Sequence, residues 1–204
     1  MNCNEIFYEI TTHLIEDEKP SIYLNKIYNE GMLDEFPLIM LKKLSGVEQT
    51  HIYHPEGNVW IHSLMVVDKG VEFRELSKDK KVYMWSLLLH DLGKLKATKL
   101  RRGRWTSRGH DRIGEEETKK FLETLTEDKK FIYKVSKYVR YHMHLLYLYN
   151  NMPYADIEGM IKDTDLEELV LVFQADRLGR GGLTLENKQK LQEDIKSFKE
   201  TYIK

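Results

Sequence analysis

The chain has one cysteine, Cys3, so an intramolecular disulfide is excluded and a reducing compartment is expected. No apolar run approaches the roughly 18 to 20 residues that cross a bilayer. The opening residues MNCNEIFYEI lack both the basic start and the apolar core of an export signal. A cytoplasmic protein without membrane contact is the expectation. An excess of one charge is also missing. The chain has 32 basic and 33 acidic residues, a formal net charge of -1, so any nucleic-acid contact must be a local patch rather than a global field. Strict apolar–polar alternation is almost absent, which argues against a sheet-based fold. Repeats and low-complexity linkers are lacking as well.

What is present is a helical pattern. The 204 residues suffice for one domain that buries about 70% of its extended surface. Apolar residues recur at three-to-four spacing. They predict helices over 4–17, 20–31, 58–77, 80–91, 110–124, 128–149, 154–162, 165–178 and 186–202, with a short piece at 34–44. The segment QTHIYHPEGN reads as a loop. The stretch 94–109, KLKATKLRRGRWTSRG, is basic and irregular, a loop or small hairpin. The last helix is highly charged and is expected to pack loosely.

Polar residues interrupt the apolar stripes in a telling way. In 128–149 the stripe Phe131, Val135, Tyr138, His142, Leu145, Tyr149 carries His142 inward. His144 falls about 200° away, beside Lys137, Arg140 and Tyr141. In 165–178 the stripe Leu166, Leu169, Phe173 ends on Asp176. His62 lines up with Val59, Val66 and Phe73, and the most apolar helix ends on His90–Asp91. A buried carboxylate is costly unless it is paired or binds a cation. Imidazoles with carboxylates suit Zn, Mn, Fe, Ni or Co. Each residue also has a plainer reading, a hydrogen-bonded core histidine or an Asp176–Arg177 ion pair. Four helices aiming ligand-type side chains inward point to a metal; pattern alone leaves both readings open.

The string LLLHDLGK (87–94), with His62 before it and Asp176 after it, resembles the HD superfamily of metal-dependent phosphohydrolases. The stretch GMLDEFPLIMLKKLSGVEQTHIYHPEGNVWIHSL (31–64), RGHDRIGEE (108–116) and QADRLGRGG (174–182) are similar to the HD part of bacterial tRNA nucleotidyltransferases, the CCA-adding enzymes. The likeness covers about residues 20 to 183. The Gly-Ser segment with paired aspartates that marks the nucleotidyltransferase head is missing, so nucleotide addition is not expected.

The resemblance implies an all-α HD helical bundle over 51–183, with N-terminal helices (1–50) packed on it and a charged C-terminal helix (184–204). It implies His62, His90, Asp91 and Asp176 as metal ligands. The binuclear branch adds His110 and His142, with Asp91 between two ions. One and two divalent transition-metal ions (Mn, Fe, Ni, Co or Zn, with Mg also admitted) both stay open. Asp91 would orient a water or take its proton. Lys94 would pair with a phosphate oxygen, or simply be a cation favoured at a helix C-terminus. Arg108 and Arg180 join Lys94 as substrate-binding candidates. The basic run from Lys94 to Arg108, with Trp105 in it, suits an anionic ligand or is a solvated loop. His54 and Glu56 are supports for the ligands or plain loop residues. The expected partner is a phosphorylated small molecule, a nucleotide or an RNA end. The expected reaction is hydrolysis of a phosphomonoester or a 2′,3′-cyclic phosphodiester. A di-iron oxygenase and a non-catalytic RNA- or partner-binding module are the alternatives.

Overall fold

A computed structural model describes residues 1–203. Its helices are α1 (Cys3–Glu16), α2 (Pro20–Asn29), α3 (Ile39–Lys43), α4 (Val59–Arg74), α5 (Lys80–Leu89), α6 (Lys94–Ala97), α7 (His110–Glu123), α8 (Lys129–Tyr141), α9 (His144–Tyr149), α10 (Ile157–Asp163), α11 (Leu166–Leu178) and α12 (Leu185–Tyr202). The only strands among the described residues are β1 (Lys99–Arg101) and β2 (Arg104–Thr106), an antiparallel hairpin. The fold is an all-α bundle, as expected. No described helix is long and apolar enough to cross a membrane.

Side-chain caps open most of the long helices. Asn58 accepts from Ile61 N–H, Asp79 from Val82 N–H, and Asp128 from Phe131 N–H, each using a donor the helix cannot itself satisfy. Asp165 does the same for Glu167 and Glu168. Helix α5 is the axis of the bundle: every residue from Val82 to Leu89 is buried. Around it pack α1, α4, α8 and α11. Its Trp85 meets Phe7 of α1, Phe121 of α7 and Phe131 of α8. A helix apolar on all sides must lie at the centre, and this one does.

Three expectations need correction. The span 128–149 is not one helix: α8 stops at Tyr141 and α9 begins at His144. The His142 ring takes the Val139 carbonyl at 2.6 Å, which an unbroken helix would give to the Met143 N–H. His144 stays off the His142 face, as expected, with its ring against Tyr141. It is buried between Tyr141 and Tyr147, and neither ring nitrogen has a hydrogen-bond partner. The last helix is not loosely attached, since Leu191 and Phe198 of α12 are buried in the core against α11 and α9. The piece at 34–44 shrinks to α3, followed by a 3-10 turn over Leu44–Gly46.

One close approach sets the geometry of the site. After the His90–Asp91 turn, Gly93 lies against the start of α7. A Cβ there would stand 2.0 Å from the His110 carbonyl oxygen and 2.5 Å from Gly114 N. Only a residue without a side chain lets α7 come this near, and that nearness carries His110 to Asp91.

Candidate metal centre

Four imidazoles are aimed by what holds their Nδ1 atoms. His90 Nδ1 lies 2.7 Å from Leu87 O, His110 Nδ1 2.8 Å from Ser107 O, and His142 Nδ1 2.6 Å from Val139 O. A carbonyl oxygen can only accept, so each Nδ1 donates, and in the neutral ring Nε2 presents its lone pair. His62 Nδ1 stands 2.9 Å from Glu56 Oε1, off the ideal hydrogen-bond line. The same carboxylate takes a well-aligned bond from His54 Nδ1 at 2.9 Å and another from Gly181 N–H at 3.2 Å. Glu56 thus ties the loop before α4 to the turn after α11, behind His62.

The Nε2 atoms converge in two groups. His62 and His90 bring theirs to 3.2 Å of each other, and His110 and His142 do the same at 3.2 Å. Asp91 stands between the groups. Its Oδ2 is 3.2 Å from His90 Nε2 and 3.8 Å from His62 Nε2; its Oδ1 is 3.3 Å from His110 Nε2 and 4.0 Å from His142 Nε2. Asp176 joins the first group, with Oδ1 3.1 Å from His62 Nε2. All six side chains are buried. The six residues read from the sequence are therefore brought together, in two clusters that share Asp91.

The charges fit a cation. Burial alone would raise the Asp91 pKa, but His90 and Lys94 hold it well below the usual carboxylate range. Burial opposes ionisation of Asp176 too, and Arg180 with His62 keeps it ionised. Burial lowers His110 to about 3, and burial with the nearby His90 lowers His142. His90 is buried as deeply, yet the two carboxylates pull its pKa up. Two ionised carboxylates and four imidazoles face one another, and the positive charge the chain itself brings comes from Lys94 and Arg180 at the rim and from a proton drawn onto His90. A divalent ion on nitrogen and oxygen ligands supplies that charge instead, so the residues suit one.

The substrate-binding candidates separate. Lys94 is buried, with Nζ 2.7 Å from Asp91 Oδ2 and a hydrogen bond of 2.7 Å to Gln49 Oε1. Arg180 pairs with Asp176 at 3.2 Å, which Arg177 does not. Arg108 is exposed and lies apart, in an arginine-lined cleft on the hairpin. Residues that sequence spacing did not single out complete the surroundings: Gln49 on Lys94, and the buried Asp111–Arg140 pair at 2.8 Å beside α7. A polar residue with no periodic neighbours gives no advance signal of its partner.

The model of the HD domain family matches residues 59–181. The chain is 30% identical to the multifunctional CCA protein of Methylococcus capsulatus over 178 residues, covering 82% of this chain and 40% of that protein. The corresponding protein of Psychromonas ingrahamii is 31% identical over 113 residues, 54% of this chain and 25% of its own length. That of Teredinibacter turnerae is 25% identical over 176 residues, 83% of this chain and 41% of its own. The chain spans at most about two fifths of the length of these three relatives.

Proposed function

The chain belongs to the HD domain family, whose superfamily is that of metal-dependent phosphohydrolases, and from that premise we propose that it hydrolyses a phosphate ester at the end of a nucleotide or RNA chain. The bond is a phosphomonoester or a 2′,3′-cyclic phosphodiester. The observation that carries this reading is Asp91 lying between two clusters of Nδ1-anchored histidines. Similarity to multifunctional CCA proteins favours an RNA terminus among the phosphate esters.

His62, His90, Asp91 and Asp176 would hold one divalent ion, and Asp91, His110 and His142 a second. Such ions supply Lewis acidity toward a phosphate oxygen and lower the pKa of water. The chain's own groups do the positioning. Asp91 would orient the attacking water. Lys94 holds a positive charge 2.7 Å from Asp91, so it is near any phosphate drawn to that carboxylate's cation. Arg180 adds a second fixed positive charge at Asp176. The centre opens from an apolar interior: Leu87, Leu88 and Leu89, which lead into His90, are fully buried.

The test starts from protein purified without chelator. Its metal content is measured by mass spectrometry, and it is reloaded with Mn, Fe, Ni, Co, Zn or Mg. It is then assayed on p-nitrophenyl phosphate, 2′,3′-cyclic AMP and oligoribonucleotides ending in a phosphate or cyclic phosphate. Turnover should need a divalent ion and disappear in Asp91→Ala. Loaded protein that binds its metal yet leaves every ester intact would overturn the assignment. The second cluster at His110 and His142 also suits a di-iron oxygenase. Substrate-dependent oxygen uptake after anaerobic iron loading is the result that would favour that chemistry instead.

A further inference from the structure

A cluster of arginines lies away from the buried centre, on and beside the β1–β2 hairpin. Arg101, Arg102, Arg104 and Arg108, with Thr106, line an open cleft of about 700 Å³. No acidic residue occurs between Lys94 and Arg108. Among the described residues the ion-paired arginines are Arg140 and Arg180, so the cleft arginines carry uncompensated charge.

The hairpin gains nothing from these charges. Arg101 stands directly opposite Arg104 in the ladder, where like charges repel. Arg102 has φ 49° and Gly103 φ 74°, a turn in which asparagine or glycine is the favoured first residue. Three arginines thus sit where the hairpin alone would take something else. An anion on the cleft removes the conflict.

Spacing and chemistry narrow that anion. Alternate residues of an extended strand share a face about 7 Å apart, so Arg104 and Thr106 lie on one face of β2, and Arg108, in the turn that follows the strand, lines the same cleft. Neighbouring phosphates along a nucleic-acid strand have a similar separation, and the guanidinium fork bonds phosphate oxygens in pairs. Trp105 occupies the other face and is 38% exposed; Tyr53, on the adjoining loop, is 68% exposed. Thr50 of that loop bonds the Trp105 carbonyl at 2.8 Å, which ties the two segments together. Exposed aromatic rings on the hairpin's opposite face and the adjoining loop suit unpaired bases splayed away from a backbone held by the arginines, since such bases can stack where paired ones cannot. Both segments also lead to the centre. The hairpin continues into Ser107, whose carbonyl aims His110, and the loop continues into Glu56 behind His62.

We infer that this hairpin and loop bind the phosphodiester backbone of a single-stranded nucleic acid. The substrate of the neighbouring centre is then a chain end rather than a free mononucleotide. The second statement rests on the hydrolase reading; the first does not.

The test is fluorescence anisotropy of the full chain with a 5′-labelled single-stranded RNA of about 12 nucleotides. The RNA ends in a plain 3′-hydroxyl, so no terminal ester is there to be hydrolysed. Titrations run at about 50 and 200 mM salt. Arg101→Ala with Arg104→Ala should weaken binding at least about tenfold and flatten the log–log salt slope by about 1.4, two phosphates at roughly 0.7 each. Trp105→Ala should weaken it roughly 5- to 150-fold, and Trp105→Phe should restore most of it. Circular dichroism checks that each variant keeps its helix content. The inference is overturned if the double variant binds with parental affinity and salt slope. It is equally overturned if a duplex of the same sequence binds as tightly, or if polyglutamate competes as well as RNA, the mark of an acidic-protein surface. Should the parent protein hydrolyse no ester, the hydrolase reading falls while this binding test still stands.

Discussion

Replacing Gly93 with alanine puts the link between helix packing and the metal centre to a direct test. The added Cβ would lie 2.0 Å from His110 O, 2.5 Å from Gly114 N and 2.8 Å from Gly114 Cα. All three are backbone atoms, so no side chain can swing aside. Real Cβ contacts do not fall below 3.0 Å, so the start of α7 must retreat by at least the difference from 2.0 Å, about 1 Å. The His110 Nε2–Asp91 Oδ1 separation of 3.3 Å then opens toward 4 Å, and the cluster of Asp91, His110 and His142 comes apart. His62, His90 and Asp176 reach the centre from α4, α5 and α11 and stay in place. Overpacking of this kind costs about 1 to 3 kcal/mol, and more when backbone must move. Urea denaturation should therefore show Gly93→Ala less stable by about 3 kcal/mol, and metal analysis should show fewer ions per chain than in the parent. Gly46→Ala is the matched control. Its Cβ meets nothing within 4 Å, so stability should hold or rise by a few tenths of a kcal/mol. A Gly93→Ala protein with parental stability and metal content would refute the reasoning.

Two further outcomes are expected. Glu56→Ala removes the carboxylate behind His62 and should weaken metal binding about 10- to 100-fold, with Glu56→Gln in between; competition with a chromogenic chelator reads this, and unchanged affinity would show that Glu56 does not position the ring. His144 is buried without a partner, and burial holds its pKa down at about 3, so between its ordinary value of 6.5 and about 3 the unfolded chain binds a proton that the folded chain does not. Stability must then fall as pH drops through that window, by about 2 kcal/mol at pH 5 for this one group. His144→Phe should remove that part of the slope in denaturation series between pH 5 and 7, and an unaltered slope would assign it elsewhere.

Much of the centre was legible because its residues break a pattern. His62, His142 and Asp176 each sit on an apolar helical stripe, and His90–Asp91 ends the most apolar segment, so periodicity alone turns them inward. The helix positions follow from the same spacing and from the capping residues. His110 was different: it opens α7 with no stripe behind it, and the family likeness rather than periodicity pointed to it. Glu56 and Gln49, which lie on loops, offered no period at all. Arg180, four residues past Asp176 and just beyond the end of α11, is its partner in place of adjacent Arg177.

Sequence by itself determined which side chains face inward, since a 3.6-residue period settles direction around each helix axis. Only the tertiary structure decided which of them meet. The absence of a Cβ at Gly93 lets α7 close on Asp91, and the His142 ring takes the Val139 carbonyl where α8 ends. Distances between helices come from how their surfaces pack, and that information is spread over many residues rather than written in any one segment.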